Sequence, residues 1–148
     1  MSQNTDTIDV RPEEAFDQNN LEKFLYGKLE GSKQSLIIRQ FPEGKANLTY
    51  ELKYGKYEYV LRRPPLGPVA PGSHDMKREH TVLSVLQKAF LLAPKAYLYE
   101  DDPTIIGAPF FIMERRNGVV VRTRMPKEFS KIDDAGKQIS EALVDALA

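Results

Sequence analysis

The chain reads as an α+β protein built on a five-stranded antiparallel sheet, and three observations carry that reading. Strand-like runs at 36–41, 48–54 and 57–63 are parted only by Pro42, Glu43 and Gly44 and then by Gly55 and Lys56, the pattern of an antiparallel meander. A helix-spaced segment follows at 75–89, before two further strand-like runs at 96–99 and 109–115. One helix therefore interrupts the sheet instead of alternating with its strands, which argues against a parallel α/β fold.

The elements follow in order. Residues 1–16 read as a flexible tail. Leu21, Phe24, Leu25 and Leu29 recur at helical spacing and predict a helix over 18–30, with Asp17 or Asn19 to cap its start and Gly31 to end it. After the meander, Pro64, Pro65, Pro68 and Pro71 stop the third strand near Arg63, because proline offers no N–H to a sheet ladder. The helix at 75–89 carries Val82, Leu83 and Leu86 on one face. Residues 100–107 read as a turn, and Asn117-Gly118 as another. Ile132, Ala135, Ile139, Ala142, Leu143, Ala146 and Leu147 trace a last helical stripe.

Composition narrows the function classes. With 148 residues the chain suits one domain of modest core. It has 21 basic and 21 acidic residues, so its total charge points to neither a nucleic acid nor a membrane surface. Residues 1–32 nonetheless hold seven acids and three bases, and residues 33–63 seven bases and three acids, which leaves a local basic segment. Without cysteine there is no disulfide, thiolate metal site or thiol nucleophile. The N-terminus lacks a signal-peptide pattern and no apolar run is long enough to span a bilayer, so a soluble cytoplasmic protein is expected.

Three places could carry chemistry. Glu79 shares the apolar face of its helix with Val82, Leu83 and Leu86, where a carboxylate needs a cation, and Arg62 and Arg63 are the nearest in prospect. Side chains alternate along a strand, so only one of those arginines faces inward. In the turn after the first strand, Gly44 would let backbone N–H groups approach a polyphosphate, with Lys45 and Thr49 adding contacts. The strand ending Ile112-Met113-Glu114-Arg115-Arg116 passes abruptly from apolar to polar, a natural edge for a flat heterocycle. Each also has an ordinary reading: a structural ion pair, a plain hairpin, and a core strand leaving the sheet. His74 and His80 read as surface or packing residues, and the pairs Asp101-Asp102 and Asp133-Asp134 as solvated caps.

Taken together and in order, these segments follow the plan of a protein-kinase N-terminal lobe. Gln40-Phe41-Pro42-Glu43-Gly44-Lys45-Ala46-Asn47-Leu48-Thr49-Tyr50, Tyr59-Val60-Leu61-Arg62-Arg63-Pro64-Pro65, His74-Asp75-Met76-Lys77-Arg78-Glu79-His80 and Pro109-Phe110-Phe111-Ile112-Met113-Glu114-Arg115 resemble the aminoglycoside phosphotransferase and choline kinase family, and within it the branch found fused to acyl-CoA dehydrogenases.

The resemblance implies an ATP site. Arg62, beside Val60, would hold the α- and β-phosphates where the family has lysine, and would pair with Glu79. The stretch Gly44, Lys45, Ala46, Asn47 and Thr49 would cover the phosphates, although Glu43 stands where a second glycine is common and Ala46 where a serine is. Met113 would line the adenine pocket, and the backbone of Glu114 to Arg116 would meet the adenine edge. Arginine is a broader planar fork than lysine, so its charge transfers more directly than its geometry.

The same resemblance implies that residues 17–117 form the nucleotide-binding lobe, and 118–148 a linker and the first helix of a second, helical lobe. The family's His-Gly-Asp loop, its following Asn and its later metal-binding Asp do not occur in the sequence. No catalytic or metal-binding residue is therefore assigned. Mg2+ is expected only where the second lobe is supplied, and the partners implied are ATP and either a separately encoded C-terminal lobe or a second copy of the chain joined through the last helix. The acceptor class implied is a hydroxyl compound such as a hydroxy acid or its CoA ester. Two other readings stand beside this one: a non-catalytic interaction module using the exposed C-terminal helix, and a free-standing α+β domain in which Arg62 and Glu79 are structural.

Overall fold

In the computed structural model, residues 6–43, 46–121 and 123–148 are described. They divide into two units, Met1–Arg115 and Arg116–Ala148. The first contains α1 (Gln18–Leu25), β1 (Leu36–Gln40), β2 (Leu48–Tyr54), β3 (Tyr57–Arg63), α2 (Met76–Ala89), β4 (Ala96–Glu100), α3 (Pro103–Ile106) and β5 (Phe110–Glu114). The second contains a short 3-10 turn at Lys127–Phe129 and α4 (Ala135–Leu147). Among the described residues no helix is long and apolar enough to cross a membrane.

The five strands form one antiparallel sheet with α2 inserted between β3 and β4, as the turn pattern predicts, and their order in space is β1-β2-β3-β5-β4. Alternation along the strands separates two faces. Tyr50, Leu52 and Tyr54 of β2, Tyr59 and Leu61 of β3, and Phe110 and Ile112 of β5 join Leu21 and Leu25 of α1 and Ile106 of α3 in the main core. The opposite face carries Thr49 and Glu51, Val60 and Arg62, and Phe111 and Met113, and α2 packs beside it on β4 and β5.

Several boundaries differ from expectation for local reasons. α1 stops at Leu25, because Gly27 takes a left-handed φ of 76°, although Leu29 still packs into the core from the turns that follow. Asp17 is its cap, accepting from the Asn20 N–H at 3.0 Å. Gly31 ends this connection where any Cβ would collide with the Tyr57 ring. Inside the expected turn at 100–107 lies the one-turn helix α3, capped by Asp102 and closed by Gly107, too short to leave a periodic signal. α4 begins at Ala135, after Asp134 in the left-handed region.

α2 is rotated from the face the spacing suggests. Met76 is buried, with Glu79, His80 and Leu83 beside it on the inward side, whereas Val82 is 55% and Leu86 40% exposed. His80 rests against the rings of Tyr99 and Phe111, and Gln87 Oε1 accepts from the Ala96 N–H at 3.0 Å. An apolar stripe marks a helix side but not how wide a groove the sheet offers it.

The N-terminal stretch is not a free tail from Thr7 on. Ile8 and Gln40 exchange backbone hydrogen bonds of 2.8 and 2.9 Å, and the Arg11 N–H donates to Gln40 Oε1 at 2.9 Å. Its far end is held by Arg63, only 2% exposed. The Arg63 guanidinium donates to Glu14 O at 2.7 Å, Ile106 O at 3.1 Å and Tyr50 Oη at 3.2 Å, and lies over the Phe16 ring at 5.1 Å. One cation thus stitches β3 to the N-terminal segment and to α3.

Replacing Arg63 by leucine should cost about 3 kcal/mol in urea unfolding, because two carbonyls and a hydroxyl lose a charged donor in a dry place. Burial also pushes the His80 imidazole down from its ordinary value. Its unfolded form then binds more protons below about pH 6.5, so stability is full above that pH and falls as the pH drops through it. The decline between about pH 7 and 5.5 should shrink in His80→Phe.

Candidate functional site

Strand register sets the site out in rows. Thr49, Arg62 and Phe111 stand side by side across β2, β3 and β5, and Glu51, Val60 and Met113 form the next row on the same face. At the first row Arg62 Nη1 lies 3.0 Å from Glu79 Oε2 of α2. Arg62 is 30% and Glu79 29% exposed, so the pair keeps part of its hydration and is not a sealed staple. The Arg62 Nε is buried and has no partner among the described residues.

Glu79 is held from its other side as well. Asn47, 5% exposed, donates from Nδ2 to Glu79 Oε1 at 2.9 Å, and its Oδ1 stands 2.6 Å from His74 Nδ1. α2 brings Glu79 to this place because Asp75 caps its first turn, accepting from the Arg78 N–H at 2.9 Å. Four segments thereby meet: the turn before β2, the end of β3, the loop before α2, and α2 itself.

The second row is apolar, then ionic. Val60 is buried and Met113 half-buried, two residues along from the guanidinium on the same side. Beyond them Arg115 Nε donates to Glu51 Oε1 at 3.1 Å, its Nη2 lies 2.9 Å from Asp6 Oδ2, and its guanidinium lies over the Phe41 ring at 4.8 Å. Glu51 and Arg115 side chains are 11% and 7% exposed, far drier than Arg62 and Glu79. The face therefore runs from a half-hydrated cation through an apolar floor to a buried ion pair.

Of the residues picked from sequence, Asn47, Thr49, Val60, Arg62, Glu79 and Met113 gather on this face. Ala46 is exposed beside them, and Gly44 and Lys45 lie outside the described residues. Glu114 points the other way: it registers with Tyr59, its Oε2 accepts from the Lys95 N–H at 3.0 Å, and its own N–H is already donated to Lys95 O at 2.8 Å. That N–H is not available to a heterocycle. Arg116 opens the second unit. Sequence reading missed His74 and the Glu51–Arg115 pair, both joined by residues far apart in the chain; the one local sign was a histidine set directly before a helix cap.

A double-mutant cycle on Arg62 and Glu79, in the absence of ligand, should give a coupling of at most about 1 kcal/mol. Removing Glu51 alone should cost about 2 kcal/mol, since Arg115 loses the drier of its two carboxylates and keeps Asp6.

Comparison with known proteins bears on the family and the fold. The family model described as the phosphotransferase enzyme family matches residues 37–146. Acyl-CoA dehydrogenase family member 11 of Gallus gallus is 37% identical over 120 residues, covering 78% of this chain and 15% of its own length. Its counterpart in Rattus norvegicus is 33% identical over 147 residues, 97% of this chain and 19% of the relative. Acyl-CoA dehydrogenase family member 10 of Mus musculus is 33% identical over 117 residues, 78% of this chain and 11% of the relative. A crystal structure described as an aminoglycoside phosphotransferase of Ralstonia eutropha superposes with a TM-score of 0.60 at 30% identity, over 73% of this chain and 30% of the other. The chain thus spans under a fifth of the curated relatives and under a third of the solved neighbour. By the extent of the family match and these identities, the chain belongs to the phosphotransferase enzyme family.

Proposed function

We propose that this chain is the nucleotide-binding part of an ATP-dependent small-molecule phosphotransferase. The observation that supports it best is the cation at the end of β3, poised by a carboxylate from the inserted helix and by an amide from the turn before β2, on the sheet face next to an apolar floor. A triphosphate carries several negative charges, and a planar guanidinium held from behind by Glu79 can present its remaining N–H groups to two phosphate oxygens. Sharing its Oε atoms between Arg62 and Asn47, Glu79 keeps that fork from swinging away when the site is empty. Val60 and Met113 supply flat apolar surface for a purine, two residues along the strand from the phosphates.

Phosphoryl transfer is a different matter. It needs a carboxylate to orient the attacking hydroxyl and Asn and Asp side chains to hold Mg2+, and the sequence has no His-Gly-Asp loop to supply them. In this reading the chain binds ATP and transfers nothing alone; the acceptor site, the Mg2+ ligands and the catalytic groups come from a second lobe. A second reading, an interaction module, draws on α4, whose Leu143, Val144 and Leu147 are exposed. It predicts binding of a partner helix and indifference to nucleotide.

Thermal melting separates the two. Mg-ATP at a hundredfold excess over its Kd should stabilise the chain by about 2.7 kcal/mol. Arg62→Ala should weaken binding at least tenfold, with little change in unliganded stability. Absence of any shift at millimolar Mg-ATP, or ATP turnover by the purified chain, would overturn the proposal in its binding or its catalytic half respectively.

A further inference from the structure

His74 occupies a backbone position that histidine adopts at a cost. Its φ is +56°, in the left-handed region, which few non-glycine residues adopt, although asparagine, aspartate and histidine do so more often than the rest. It lies between the proline-rich loop and Asp75, the cap of the helix that carries Glu79. Strain of this kind persists only where the surroundings over-determine it. Here the surroundings are Asn47, 27 residues away in sequence.

The direction of every hydrogen bond in the network follows from donor and acceptor rules. The Glu79 carboxylate accepts only, so Asn47 must turn its Nδ2 toward Glu79 Oε1, 2.9 Å away. That places the amide oxygen 2.6 Å from His74 Nδ1. The amide oxygen also accepts only, so His74 must carry its proton on Nδ1. The relay then runs one way: His74 donates to Asn47, Asn47 donates to Glu79, and Glu79 accepts from Arg62 with its other oxygen at 3.0 Å. Asn47 is nearly sealed from water, so losing the His74 donor strands its oxygen and frees the amide to turn. A turned amide presents its oxygen to a carboxylate, which pushes Glu79 off Arg62.

We propose that His74 is a positioning residue of the phosphate site, acting through Asn47 to hold the Glu79 carboxylate in the geometry that aims Arg62. The proposal rests on the nucleotide-binding reading for its consequence, but the His74–Asn47 link stands apart from it.

Three variants read it out in the full chain. His74→Gly suits the left-handed backbone but has no donor, and should weaken Mg-ATP about tenfold. His74→Asn tolerates the same backbone and offers an amide N–H near the place of Nδ1, and should restore most of the affinity. In an Asn47→Ala background His74→Gly should cost nothing further, as required of a residue that works through another. A nucleotide-free readout comes from the imidazole 15N shifts, with His80→Phe assigning the two histidines. At about pH 8, His74 should be in the Nδ1–H tautomer, and Asn47→Ala should release it to the other.

If the wild-type chain binds Mg-ATP and His74→Gly binds equally well, the positioning role is wrong and the nucleotide site stands. If the wild type binds no nucleotide, the functional reading falls, and an Nδ1–H tautomer upholds the link to Asn47. An Nε2–H tautomer in the wild type overturns that link whatever the nucleotide does.

Discussion

The two consecutive arginines at the end of β3 point to opposite sides of the sheet, and the rest of the molecule is organised around that split. A strand offers its side chains alternately to two faces, so Arg62 and Arg63 are neighbours along the backbone and in nothing else. Arg63 enters the core and ties the N-terminal segment and α3 to the sheet through Glu14 O and Ile106 O. Arg62 emerges beside α2 and meets Glu79. Shifting β3 by one residue would exchange them, putting the staple in solvent and leaving the site without its cation.

Hydration separates the two roles further. Arg63 and Arg115 are almost wholly desolvated and are met by fixed partners: carbonyls and a tyrosine hydroxyl for one, Glu51 and Asp6 for the other. Such groups hold architecture, because moving them would leave a charge uncompensated. Arg62 keeps nearly a third of its surface and shares Glu79 with Asn47. A cation of that kind can exchange water for an anionic ligand at modest cost, the balance a reversible phosphate site requires. The strained His74 is part of the same economy, its backbone cost offset by fixing an amide that would otherwise face two ways.

Much of the fold was legible because its signals are local. The three-strand meander, the inserted helix and the final strand pair follow from runs, turns and prolines a few residues apart. The Arg62–Glu79 pair was legible in part: a carboxylate on a helix face demands a cation, but the residues left Arg62 and Arg63 both open and the family resemblance chose Arg62. What local pattern did not carry was rotation and docking. Val82 and Leu86 lie on the predicted stripe of α2 yet face outward, because the helix seats Met76, His80 and Leu83 instead. The stretch from Thr7 is polar enough to read as a tail and is held by backbone pairing to Gln40, which composition does not register.

By itself, then, the sequence determined the strand order's raw material, the family plan, and the residue types that can meet a polyphosphate, since each depends on neighbours within a turn or two. Only the tertiary structure decided which arginine is sealed and which is open, that Glu114 turns away from the site, and that His74 reaches Asn47. Those outcomes depend on register across strands and on groups tens of residues apart. Hydrogen-bond direction and desolvation are set there by which atoms fold to within 3 Å of one another, a distance that no periodicity in the chain encodes.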